Sequence, residues 1–345
     1  MNNKLKQLRA EAGLTQSMVA AAVGVSQPNY QRWETGAAPI PGDKLDKLAE
    51  ALGTDPATIL GRHAPVRVGL YDDSVEKALS YYGEVAVHFA GGGEPLLLSI
   101  SEDAFERLHA DVQRDTPFLI VRSLCNETVA IRSKAIADLY FSSEAYDDYG
   151  PETERYGRFT GQQMADPRDW QIVAALAGDE VGAEDFAEED VERVRGWLMV
   201  TDEQFEKLVA DRRIEPDELE AERARMRDLT DRLFALATQT VWQFSTGRRR
   251  SEEVYDERVL YEAFYPLTDF GGDLPGDEML RLPTAGSHRI IFINPHALDY
   301  VSIPTHSFEE GRLLETADEL DERDAAEARR PANPRLSARR GRTRR

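Results

Sequence analysis

The sequence predicts an all-α N-terminal domain followed by an α+β body, which holds two small antiparallel β units and a helical insertion. Three observations carry this reading. Residues 15–36, TQSMVAAAVGVSQPNYQRWETG, read as a helix, a tight turn and a second helix. Residues 129–148 and 291–310 align without a gap at an offset of 162. Between these stretches, residues 151–240 are acidic and carry apolar residues at helical spacing.

Leu5 and Leu8 fit an opening helix that ends at Gly13. Thr15 is placed to cap a helix over 16–23, and Gly24 supplies the left-handed residue for a sharp turn. Ser26 then caps a second helix that runs to about Glu34. Ala20, Val25, Tyr30 and Trp33 fall on the face between the two helices, where a small alanine permits close approach. The other face carries Gln27, Asn29, Gln31 and Arg32, long polar side chains able to bond base edges. Leu45, Leu48, Ala49 and Leu52 have the period of a closing helix. Thr54-Asp55-Pro56 starts a short last helix with Ile59 and Leu60. These elements make a domain over 1–62, ended by a linker near 61–69.

The first β unit is expected over 66–150. Alternation at 84–89, a Gly91-Gly92-Gly93 turn and an apolar run at 95–100 read as a hairpin. A helix over 102–112 leads to strands at 118–124, 128–131 and 136–141. The second unit is expected over 241–315, because the offset of 162 matches Val129 to Ile291, Ile131 to Ile293, Ala135 to Ala297 and Leu139 to Val301. VAVHFAGGG at 85–93 has a looser echo in VWQFSTGRR at 241–249. In the insertion, Leu219, Met226, Leu229, Leu233 and Leu236 form a heptad-like stripe. It suits either packing against a neighbouring β unit or a two-helix dimer contact. Residues 316–345 are expected to be a disordered, Arg-rich tail.

The net charge is −21, with +1 over residues 1–62 and +8 over 329–345, which leaves −30 between them. Such a body repels phosphate at long range, so either a nucleic-acid face points away from it or non-specific DNA affinity is low. The tail can grip phosphates and raise the salt dependence of binding, or fold back on the acidic body. With Cys125 alone, no internal disulfide and no thiolate metal cluster can form. His288, His296 and His306 have no helical metal-ligand spacing, so no metal and no cofactor are expected. No phosphate cradle or nucleophile elbow is present, and no residue is singled out as catalytic. No apolar run reaches membrane length and no signal peptide opens the chain, which suggests a cytoplasmic location without a membrane partner.

The text LKQLR, GLTQ, Ala20, GVS, WETG and LDKLAEALG resembles the lambda-repressor-like (XRE) helix-turn-helix family over residues 3–61. The resemblance implies a transcription regulator that binds double-stranded DNA, with a homodimeric repressor as the expected form. It implies that Gln16 bonds a backbone phosphate, that Ser26 opens the recognition helix, and that Gln27 and Arg32 read bases. Asn29 and Gln31 lie on the same DNA-facing side. Pro28 departs from the polar residue some members carry there and offers the groove an apolar contact.

The body carries a second, shorter resemblance. VAIRSKAIADL and FINPHALDYVSIP are similar to the closing strands of Sm-like small barrels, over about a dozen residues each. This implies Arg132, Lys134 and His296 near a nucleotide-binding rim, and an alternative function as an RNA-binding regulator. Ser133 and Pro295 depart from that pattern. A third reading is an antitoxin-like interaction scaffold whose acidic body caps a basic protein partner.

Overall fold

The computed structural model describes residues 4–69, 78–92, 94–143, 163–178, 183–253, 256–268, 278–284 and 289–329. The described residues form two compact units, one within 4–61 together with 313–329 and one within 62–312.

The helical unit follows the sequence closely. Its first five helices are α1 (Leu5–Glu11), α2 (Gln16–Val23), α3 (Gln27–Glu34), α4 (Gly42–Leu52) and α5 (Pro56–Ile59). Thr15 accepts a hydrogen bond from the Met18 amide and starts α2, and Gly24 ends it at φ +73°. Asp55 caps α5 through the Thr58 amide. Ser26 holds the N-cap position of α3, but its side chain makes no capping bond, in contrast to expectation. Leu5, Val19, Ala20, Tyr30, Trp33, Leu48 and Ile59 form one buried core.

The body opens with β1 (Arg67–Gly69), parallel to β2 (Ala78–Phe89). β3 (Leu96–Ser101) pairs with β2, and Ser101 caps α6 (Glu102–Asp111) through the Ala104 amide. β4 (Phe118–Arg122) and β5 (Glu127–Arg132) form a hairpin. A 3-10 turn, Ser133–Ala135, then sends β6 (Ile136–Ser143) back along β2.

The insertion contributes α7 (Pro167–Ala177), α8 (Glu188–Leu198), α9 (Asp202–Ala210) and α10 (Leu219–Thr238). Trp170, Ile172, Val173, Val194, Leu198, Leu233 and Ala237 are buried together, with Leu229 and Leu236 packed against them. Three residues of the heptad-like stripe, Leu229, Leu233 and Leu236, thus pack within the chain, while Leu219 and Met226 stay outside that cluster.

The plan of the first half then recurs. β7 (Gln239–Phe244) pairs with β8 (Arg249–Glu253), and α11 (Glu257–Thr268) leads to β9 (Leu280–Pro283) and β10 (Ile290–Ile293). A 3-10 turn, Pro295–Ala297, sends β11 (Leu298–Pro304) back along β7. The two 3-10 turns are separated by the offset of 162 read from the sequence. The hairpin echo is real but one residue out of register. Opposite Leu139 stands Val87, and opposite its counterpart Val301 stands Trp242. The offset there is thus 155 and not 156. The same offset relates Gly92 at φ +77° to Gly247 at φ +76°. It also relates the turn bonds from Gly92 N to Phe89 O (2.9 Å) and from Gly247 N to Phe244 O (2.8 Å).

Strand pairing joins the β units expected over 66–150 and 241–315, which the repeat suggests as a pseudo-symmetric pair. β5 of the first half pairs antiparallel with β11 of the second, giving a five-stranded sheet in the order β4-β5-β11-β7-β8. Each face of that sheet covers a different core. Ala130, Val301 and Trp242 lie side by side in the core with α11, β9 and β10. Val129, Ile131 and Tyr300 point to the other core, with β2, β3 and α6.

The last element is α12 (Thr305–Ala328). The expectation of disorder from residue 316 is corrected by this helix, and residues 330–345 of the tail lie outside the described ones. From Leu313 on, α12 belongs with the helical unit. Leu313 and Ala317 bury against Ala10, while Lys6 bonds Asp318 at 2.8 Å and Arg9 bonds Asp321 at 3.0 Å. The acidic residues that made this segment look solvated are thereby partners for α1.

Candidate nucleic-acid interface

The helix α3 is amphipathic in the way its sequence suggests. Tyr30 and Trp33 are buried in the core, while Ser26, Gln27, Asn29, Gln31 and Arg32 are exposed. Pro28 stands in the first turn, where its missing N–H leaves no intrahelical bond unmade. Five donor- or acceptor-bearing side chains therefore project from a helix and its N-cap whose backbone is fixed by the residues behind it.

That fixing relies on buried charge. Arg9 is wholly buried in α1. Its Nε donates to Glu34 Oε1 at 2.7 Å, and its Nη1 donates to the Leu14 carbonyl at 3.0 Å. Glu34 is the last residue of α3, so this pair ties α1 to the C-terminal end of the candidate recognition helix. Burial disfavours the Arg9 cation, but the Glu34 hydrogen bond and the charges of Glu34 and Asp321 outweigh it and raise its pKa.

Gln16 joins the same cluster. Its Nε2 donates to Glu34 Oε2, and the residue is 9% exposed. The structure thus turns the amide inward, whereas the family resemblance places it on a phosphate. Arg9 and Glu34 were not singled out from the sequence. The available signal was a lone arginine beside Leu5 and Leu8, facing a glutamate at the end of the second motif helix.

The candidate RNA residues of the body are placed differently. Arg132 donates through Nε to the Leu298 carbonyl, which commits it to joining the two 3-10 turns. Lys134 and His296 are exposed, one in each 3-10 turn.

A cavity of about 650 Å³ lies within the body. Leu229, Leu233 and Leu236 of α10 form one wall, and Glu127, Gln243, Arg249, Tyr300 and Ser302 of the sheet form the opposite wall. Glu127 accepts hydrogen bonds from Ser302 Oγ at 3.1 Å and Ser123 Oγ at 3.2 Å. Burial still pushes its carboxyl up to about 7, against the lowering effect of those bonds and of Arg249. Cys125 also lines the cavity, and burial with two nearby carboxylates raises its thiol far above neutrality. A thiol so held is a weak nucleophile. Among the described residues, no group of three or more His, Cys, Asp or Glu is placed to hold a metal ion. No helix among them is long and apolar enough to cross a membrane.

Neither the curated proteins nor the solved structures contain a match to this chain. Residues 5–59, the span that carries α1 to α5, match the family model described as Helix-turn-helix.

Proposed function

We propose that this protein is a sequence-specific, DNA-binding transcriptional regulator that acts as a homodimeric repressor in the cytoplasm. The observation that carries the reading is the two-sided character of α3. Tyr30 and Trp33 anchor it, and Gln27, Asn29, Gln31 and Arg32 stand free of the core on its outer side. A helix of this kind fits the major groove, where Arg suits guanine O6/N7 and Gln suits adenine N6/N7. Two copies read half-sites about one turn apart, and occupancy excludes the polymerase. Ser26 at the N-cap is placed for the phosphate backbone. Gln16 contributes by holding Glu34 and therefore α3.

The test is selection of bound duplexes from a random pool, with Gln27→Ala and Arg32→Ala variants as controls. A dyad-symmetric sequence is expected. Each variant should lose discrimination at its own position by about 1–3 kcal/mol, the usual worth of a bidentate base contact. Enrichment that both variants retain would overturn the assignment of α3 as the reading helix. The RNA-binding alternative is weakened by Arg132, whose guanidinium is used on a backbone carbonyl. The acidic body remains the surface for a basic protein partner, which co-purification with the intact chain would identify.

A further inference from the structure

One face of the five-stranded sheet has two covers, and the cavity of the body lies where they meet. Side chains alternate along a strand, so Glu127 of β5, Tyr300 and Ser302 of β11, and Val241 and Gln243 of β7 share that face. The cluster that holds β2, β3 and α6 covers its β5 side. The leucines of α10 belong to a separate cluster, and α10 packs on β7 and β11. Leu96 and Leu97 from the first cover and Leu229, Leu233 and Leu236 from the second all line the space between. At about 650 Å³ it is as large as a small-molecule site, which typically spans about 300–1,000 Å³.

Two polar groups on the sheet wall are incompletely satisfied. A carboxylate has about four acceptor positions. At Glu127 the hydroxyls of Ser302 and Ser123 take one each. Among the described residues Glu127 makes no ion pair, although its surroundings desolvate it. Tyr300 is 3% exposed, and its hydroxyl makes no hydrogen bond among the described residues. The two arginines that line the cavity, Arg232 and Arg249, are both exposed. A carboxylate removed from water needs a cation or stays neutral. At Glu127 the chain supplies no cation, and the carboxyl borders open space.

We propose that this cavity binds a small organic amine, with its ammonium group on the Glu127 carboxylate and its apolar body along Leu229, Leu233 and Leu236 of α10. An ammonium brings three donors and a positive charge, and its hydrogen bonds to a carboxylate are of the strong, charge-assisted kind. The Tyr300 hydroxyl is a further acceptor on the same wall. An anionic ligand of the same shape meets a like charge at Glu127, and a neutral one leaves the carboxylate without a cation. The site is independent of the DNA-binding reading, since every residue involved lies within 62–312.

The experiment uses the full chain and three probes of equal length, octylamine, 1-octanol and octanoate. Calorimetric titration is run at pH 8, where Glu127 and the amine are both ionised. Octylamine is expected to bind tightest, and octanoate least. Glu127→Gln keeps the shape of the side chain and removes its charge, so octylamine should bind it at least tenfold more weakly while octanol is unchanged. Ala235 of α10 also lines the cavity, and Ala235→Phe fills space there without altering charge. It should weaken octylamine and octanol together, which separates the cavity from amine attraction to the acidic surface. Circular dichroism verifies folding, and should Ala235→Phe not fold, the contrast between octylamine and octanol in Glu127→Gln still decides. No binding of octylamine, octanoate binding as tightly as octylamine, or an octylamine affinity indifferent to Glu127→Gln or to a folded Ala235→Phe would each overturn the proposal.

Discussion

The helical unit and the body bury their apolar residues over different distances along the chain. From Leu5 to Ile59 the helices close one core within a single short stretch of chain. In the body, Val301 lies between Ala130 and Trp242, and Ile131 stands opposite Tyr300. Closing a short loop costs little entropy, so caps and helix periodicity suffice to define the helical unit. Long-range pairing is settled by which edges match in shape and register, which no local signal reports. The helical unit has one exception of its own. The bonds from Lys6 to Asp318 and from Arg9 to Asp321 each span 312 positions.

The largest predicted effect tests whether the two regions are energetically separate. Arg9→Ala leaves Glu34 buried without its cation and also releases Asp321. Breaking a buried pair from one side costs about 3–5 kcal/mol. Calorimetry should show the transition of the helical unit falling sharply while that of the body stays in place. A matching fall in both transitions would break the contrast, because the exception through α12 would then couple them.

Within the body, Asp166 plays the part that Glu34 plays in the helical unit. It caps α7 through the Arg168 amide at 2.9 Å, and it accepts from the Val66 amide at 3.2 Å. Its contact with His63 Nε2 is 3.3 Å. Burial raises its pKa, but the bonds from His63 and Arg168 outweigh this and hold the carboxyl down at about 2. A folded pKa below the unfolded value means stability that is full above about pH 4 and lost as pH falls through about 2. Asp166→Asn should cost about 2–3 kcal/mol at neutral pH, the range for hydrogen bonds to a charged group. Urea melts at pH 7 and pH 2.5 check this, and a loss that does not shrink at the lower pH would sink the account.

Much of the helical unit was legible because its signals are local. Thr15, Gly24 and Asp55 mark helix ends, and the burial of Tyr30 and Trp33 follows from spacing. The inward turn of Gln16 was not legible, since it depends on Glu34 being drawn to Arg9. Nor was the docking of α12, whose Asp318 and Asp321 look solvated until α1 is set beside them. In the body the repeat itself could be read, because Ala135 and Ala297 hold equivalent 3-10 turns. Its consequence, β5 beside β11, could not be read, since neither strand records its partner. The five-residue stripe in α10 fits a partner helix as well as an internal core, and only the positions of Trp170 and Val194 reveal that Leu229, Leu233 and Leu236 turn inward.

Glu127 provides the next, smaller test, and its sign is opposite to that of Asp166. Burial raises its carboxyl to about 7 in the folded protein. The folded state therefore holds the proton more tightly than the unfolded chain. Its stabilising share is present below about pH 4.5 and lost as pH rises through about 7. Glu127→Gln imitates the protonated group and should remove that slope, gaining about 1–2 kcal/mol at pH 8 and little at pH 4. Thermal melts across that range measure it. A variant less stable than wild type at pH 8 would show that the bonds from Ser123 and Ser302 require the carboxylate.

The smallest effect compares the two halves of the body with each other. Gly92 and Gly247 occupy equivalent turns at φ +77° and +76°. A Cβ built at either glycine meets nothing within 4 Å, so no collision distinguishes them. What remains is the conformational cost of holding an L-residue in the left-handed region, roughly 1 kcal/mol. Gly92→Ala and Gly247→Ala should therefore destabilise the body by similar amounts, and the double variant by more than either alone. Denaturant melts of the three variants supply the comparison. Equal costs would mean that the halves share turn energetics as well as topology. A clear inequality would locate a difference that the backbone does not display, and the first place to look is the Gly91 backbone. A Cβ there would approach the Ser245 carbonyl at 2.6 Å, so one turn is pressed against the other.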